Sequence, residues 1–117
     1  MGAETKLMQA GLLSGNRLSG CPVENSAGET LGKVEDLILD EETGRVAYLL
    51  LSLGGFLGIG SKFFVFPWAA VHHDRRERKV IVDVDRESLR NAPGFDRETW
   101  PDLSDRKWAP RARRLAR

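Results

Sequence analysis

Two apolar runs, RVAYLLLSL at 45–53 and KFFVFPW at 62–68, restrict the possible folds of this chain more than any other feature. Each has strand length and is bounded by glycine or proline, and the phenylalanines and valine of the second favour a strand over a helix. Each is also apolar on both faces. Successive strand residues point to opposite sides, so Ala47, Leu49, Leu51 and Leu53 oppose Val46, Tyr48 and Leu50, and Phe64 and Phe66 oppose Phe63 and Val65. One face can line the interior of a barrel. The other must be covered by the terminal segments, a second copy or a partner, because large exposed apolar patches are uncommon on monomers.

Between the two runs lies GGFLGIGSK, residues 54–62. Gly55, Gly60, Ser61 and Lys62 approach the phosphate-loop pattern, with the last two residues in reversed order. Such a loop holds phosphate because it opens a helix, whose amides and dipole face the anion. Here a strand is expected to follow, so the segment is a hairpin loop and no nucleotide site is expected. Its tip carries Phe56, Leu57 and Ile59, which is apolar for a loop, and suits either docking to a partner or a lid over the barrel end.

The rest of the chain continues in short strands divided by turn signals: CPVEN (21–25), LGKVEDLILD (31–40), AAVHH (69–73) and KVIVDV (79–84). The alternation in 31–40 breaks near Glu35-Asp36, where a bulge is expected. Gly44 suits the left-handed position of the DEETGR hairpin. Only RESLRNA (86–92) reads as helix, with Asp85 as N-cap and Pro93-Gly94 as its end. With 117 residues and 41% hydrophobic content, one domain that buries roughly 65% of its unfolded surface is expected. These signals give an all-β fold, a small closed or partly open antiparallel barrel of about six strands. No apolar stretch approaches the roughly 20 residues that cross a bilayer. The N-terminus lacks the compact apolar core of a secretion signal, so a cytoplasmic location is expected.

The order and spacing of these elements resemble the PRC-barrel family. The motif residues are Gly28, Gly32, Asp36, Asp40, Gly44, Gly54, Gly55, Gly58, Gly60, Lys62, Pro67-Trp68, Leu89 and Pro93, over about residues 14–95. The resemblance implies a six-stranded barrel like those of the photosynthetic reaction-centre H subunit and a ribosome maturation factor, here as a stand-alone bacterial member. It implies a docking module and brings no catalytic residues or cofactor with it. The expected organisation is an N-terminal segment at 1–13, flexible or packed on the barrel, a barrel at 14–95, and a Trp-containing extension with a basic tail at 96–117.

Catalytic and metal chemistry find no foothold. His72 and His73 are adjacent, so on a strand they face opposite ways and cannot share an ion. DVDRE (83–87) lacks the glycine and terminal glutamate of a calcium loop. Cys21, the single cysteine, has no neighbouring histidine or second cysteine and reads as an inert thiol. Partner binding is expected instead, at Tyr48, Leu50, Phe56, Leu57, Ile59, Phe63 and Trp68, homodimerisation included. Trp100 and Trp108 are suited to pin the extension to the barrel. The last eleven residues hold Lys107, Arg111, Arg113, Arg114 and Arg117 and no acid, while the whole chain is +1. That asymmetry makes RNA or ribosome association the alternative reading.

Overall fold

The computed structural model describes residues 2–54 and 61–103. Its strands are β1 (Pro22–Glu24), β2 (Thr30–Leu39), β3 (Val46–Leu53), β4 (Lys62–Pro67), β5 (Val71–Asp74) and β6 (Lys79–Val82). They form one curled sheet in the order β4-β3-β2-β1-β6-β5, the partly open barrel expected from the sequence. The loop tip at 55–60 and the basic tail at 107–117 lie outside the described residues.

Turn chemistry sets the first hairpin. The Asp40 carboxylate accepts from the amides of Glu42 (2.9 Å) and Thr43 (3.3 Å). The Gly44 amide donates to the Asp40 carbonyl at 2.8 Å, and Gly44 takes φ 72°, a conformation any β-carbon resists. The bulge expected near Glu35-Asp36 is present: Val34 pairs with Leu51 but Asp36 pairs with Leu50, leaving Glu35 extra. Its effect is one of parity. Without the extra residue, Val34 inside would put Asp36 inside too; with it, Asp36 points out and Leu37, opposite Leu49, points in.

One pair departs from the antiparallel expectation. β1 and β6 run parallel, Val23 beside Val80. The reason lies at Pro67, where the chain turns through a 3-10 turn, Trp68–Ala70, instead of a hairpin. It leaves β4 at one edge of the sheet and enters β5 at the other without reversing direction. The expected strand at 69–73 accordingly begins only at Val71.

The inward residues of all six strands make the main core, which includes Val23, Val34, Leu49, Leu51, Phe64, Phe66, Val71, Val80 and Val82. Two helical leucines join it: Leu18 of α2 (Gly15–Leu18) and Leu89 of α3 (Arg86–Asn91). The N-terminal helices correct the reading of a chain with almost no helix. α1 spans Gly2–Gln9. Its residues, GAETKLMQ, are mostly good helix formers, but they are too polar to show an apolar period. Gly11 (φ 74°) ends the segment in a left-handed turn.

α3 begins as expected, with the Asp85 carboxylate accepting from the Ser88 amide at 2.9 Å. Its end explains the lysine of the glycine loop. Lys62 Nζ donates to the carbonyls of Arg90 (2.8 Å) and Ala92 (3.1 Å), satisfying terminal carbonyls with a cation at the negative end of the helix. Ser61 Oγ donates to the Gly54 carbonyl at 3.2 Å. The serine and lysine of the phosphate-loop lookalike are thus structural, and a strand does follow them. Replacing Lys62 by methionine is expected to cost about 1 to 2 kcal/mol, read as a fall of roughly 5 to 10 °C in thermal melts.

Candidate docking face

The β3–β4 register sorts the two-faced strands as the sequence requires. Leu49 pairs with Phe66 and Leu51 with Phe64 on the inside; Tyr48 pairs with Pro67, Leu50 with Val65 and Ser52 with Phe63 on the outside. The outer set is as thoroughly buried as the inner one: Leu50 is 3%, Phe63 5% and Val65 0% exposed. Tyr48, Phe95 and Leu103 pack around these three as a second, smaller apolar cluster. The chain's own segment 95–103 therefore lies over the outer face.

This strap is attached by several kinds of contact. Phe95 adds to the edge of β4, exchanging main-chain bonds with Phe63 at 2.8 and 3.0 Å. The Phe95 ring sits 6.2 Å from that of Phe63 and 5.2 Å from that of Trp100. The Arg97 guanidinium stacks 5.1 Å over the Phe63 ring, a favourable cation–π arrangement, and pairs with the bulged Glu35. Farther along, the Tyr48 hydroxyl donates to the Leu103 carbonyl at 3.2 Å. Gly94 (φ 60°) allows the close approach, since a β-carbon there would lie 3.0 Å from Lys62 Cβ and 3.1 Å from Phe64 Cζ.

A local turn holds the middle of the strap. Asp96 accepts from the Thr99 hydroxyl (2.7 Å) and from the amides of Glu98 and Thr99 (both 2.9 Å). The Thr99 hydroxyl bond first, and the Glu98 amide second, lower the Asp96 pKa below its ordinary value. A carboxylate so depressed stabilises the turn above its unfolded pKa and loses that contribution as pH falls through the lowered value. Amide exchange at Glu98 and Thr99, corrected for intrinsic rates, is therefore expected to be protected at pH 7 and to lose protection progressively as pH falls below the ordinary carboxylate range.

Of the residues expected to bind a partner, Tyr48, Leu50 and Phe63 share this one face. Trp68 does not: it is half-buried against the main core. Phe56, Leu57 and Ile59 lie outside the described residues. The sequence reading missed Phe95 and Leu103; its signals for this cover were Trp100 and Trp108, the second of which lies outside the described residues.

The other candidate chemistries separate in space. His72 is exposed while His73 is half-buried. Cys21 Sγ donates weakly to the Arg17 carbonyl at 3.4 Å. Among the described residues no three His, Cys, Asp or Glu side chains gather as a metal site, and no helix is long and apolar enough to cross a membrane.

The model of the PRC-barrel domain family matches residues 11–89, a span that includes all six strands and stops short of the strap. Among solved structures, a 16S ribosomal RNA processing protein RimM from Pseudomonas aeruginosa is similar at 18% identity with a TM-score of 0.44. The similarity covers 64% of this chain and 45% of that one, less than half of that protein's length. No curated protein matches.

Proposed function

The chain belongs to the PRC-barrel domain family, and on that premise we propose that it is a non-catalytic docking module that receives an extended, apolar segment of a partner protein on the outer face of β3 and β4. The observation that carries this reading is the strap. Leu50, Phe63 and Val65 are shielded by a stretch of nine residues, 95–103, beyond the matched barrel. β4 is an edge strand of the sheet, and the main-chain groups of Phe63 point off that edge to Phe95. By strand alternation those of Val65 point the same way. A partner strand that replaced the strap would find both a main-chain edge and apolar side-chain positions, the requirements of β-augmentation. The same reading takes the protein to be cytoplasmic and homodimeric, with the face available to the strap of a second copy.

Competition gives the test a sign. Phe95→Ala loosens the strap and is expected to raise partner recovery from native lysate several-fold, because a larger fraction of molecules has the face open. Val65→Lys spoils the face itself and is expected to abolish recovery, with melts confirming that both variants fold. Equal loss in both variants would refute the face. Light scattering at a mass of 13.1 kDa, against twice that, decides the dimer. The basic tail favours the alternative, an RNA-associated role; it predicts nuclease-sensitive, salt-sensitive recovery lost on deleting residues 109–117.

A further inference from the structure

Glu35, the residue that the β2 bulge leaves extra against β3, gives the outer face a charge. Its side chain is 29% exposed, and its carboxylate meets the Arg97 guanidinium, the same group that stands 5.1 Å over the Phe63 ring. This notch therefore has a carboxylate on one side and the π face of a buried ring on the other. Two residues before Arg97, Phe95 exchanges main-chain bonds with Phe63 and sets its ring 6.2 Å from the Phe63 ring. The strap thus enters the face with an aromatic residue in main-chain register and a cation two positions later, the spacing at which an extended chain repeats its side-chain direction.

A segment that took the strap's place would have to answer that notch. An aliphatic side chain at the position of Arg97 would lie on Phe63 but leave the Glu35 carboxylate partly covered and without its cation, which is costly. A carboxylate there would repel Glu35. A lysine would pair with Glu35 as a point charge, whereas the planar guanidinium lies over the ring and offers its N–H groups to the carboxylate at the same time. The ion pair by itself contributes little, because Arg97 is exposed. Discrimination comes from the ring contact together with a carboxylate that the incoming segment covers. The demand for an aromatic residue two positions earlier has a separate origin, the register of Phe95 on the β4 edge and its ring contact with Phe63.

We propose that the docking face selects an extended partner segment of the form aromatic-x-arginine, the aromatic residue paired with Phe63 along the main chain and the arginine held between the Phe63 ring and Glu35. This rests on the reading that a partner segment replaces the strap, and adds to it the chemistry by which that partner is recognised.

The probe is a fluorescein-labelled peptide of residues 93–103, PGFDRETWPDL, titrated by fluorescence polarisation against the full chain carrying Phe95→Ala and Arg97→Ala, which loosen the resident strap. Thermal melts establish that this chain is folded; if it is not, Phe95→Ala alone takes its place. Saturable binding is expected, weakened roughly tenfold or more when the peptide carries Arg97→Leu or Phe95→Ala, and by less when it carries Arg97→Lys. Glu35→Arg in the chain together with Arg97→Glu in the peptide is expected to bind better than either change alone, a coupling that a merely structural Glu35 would not produce. Val65→Lys in the loosened chain is expected to abolish binding. Equal affinity of the parent and Arg97→Leu peptides, with both abolished by Val65→Lys, overturns the arginine subsite and leaves the docking face standing. Absence of saturable binding by every peptide, or binding that survives Val65→Lys, overturns the face and the motif together.

Discussion

Gly32→Ala is expected to lower the melting temperature by on the order of 15 °C, the loss that follows from roughly 3 kcal/mol in a domain of this size. The cause is not a special backbone angle. A β-carbon at residue 32 would sit 2.2 Å from the Ser52 carbonyl oxygen and 3.1 Å from Leu51 Cδ1. The first obstacle is main chain of the neighbouring strand, so it cannot be relieved by turning a side chain. β2 and β3 would have to part next to the Lys33–Ser52 and Val34–Leu51 pairs, where the sheet joins the core. Denaturant and thermal melts decide the matter. A variant melting within a few degrees of the parent would mean that the strands part there at little cost. Gly28, exposed and with open space around its α-carbon, is the contrasting case: its φ of 83° makes alanine cost only about 1 kcal/mol.

The second large effect is expected at Asn25, the buried polar side chain of the described residues, 6% exposed. Its Oδ1 accepts from the amides of Ala27 (3.1 Å) and Glu29 (3.0 Å). Its Nδ2 donates to Glu29 Oε1 (2.9 Å) and, just beyond the neighbouring strand β6, to the Val84 carbonyl (3.2 Å). One side chain thus shapes the β1–β2 turn and ties it to the end of the last strand. Asn25→Ala leaves main-chain donors and an acceptor without partners, at about 3 kcal/mol. Asn25→Asp keeps the shape but turns a carboxylate toward the Val84 carbonyl and the Glu29 carboxylate, which raises its own folded-state pKa. That deficit is largest at neutral pH and shrinks as acid protonates the new carboxyl and restores a donor. Urea melts of both variants at pH 7 and pH 4 should show the aspartate variant recovering relative to the alanine one. Parallel behaviour would remove the donor role assigned to the amide.

What the residues disclosed in advance was local. Gly44 in its turn, Asp85 at its helix and the break at Glu35 each concern groups a few positions apart, where side-chain geometry decides the outcome. The two-faced character of β3 and β4 was also legible, and it required a cover. The identity of that cover was not, because it depends on which distant segment reaches the face first. Phe95 is a lone aromatic after Pro93-Gly94, with no period to mark it. Asn25 read as the last residue of the strand CPVEN, since nothing nearby in sequence announces a partner at Val84. Lys62 gave no sign of its role for the same reason: its acceptors, the Arg90 and Ala92 carbonyls, lie about thirty residues away. α1 escaped because good helix formers without an apolar stripe leave only propensity as a signal, and propensity is weak. The parallel pair was hidden in a single event, the 3-10 turn after Pro67, which shifts the direction of every strand beyond it.

That turn also sets the order in which the molecule can assemble. β2, β3 and β4 follow one another as neighbours and can form while the chain is still being made. β1 sits beside them with its other edge waiting for β6, whose Val80 lies more than fifty residues downstream of Val23 in the pairing. Until Lys79–Val82 arrives, the growing sheet exposes an unpaired rim and an apolar hollow that lacks Val71, Val80 and Val82. Non-local pairing of this kind slows folding, and open rims invite association between chains. The time between synthesis of β4 and docking of the β5–β6 hairpin is therefore the interval in which this protein is most exposed to misassembly, and when a chaperone would protect it most.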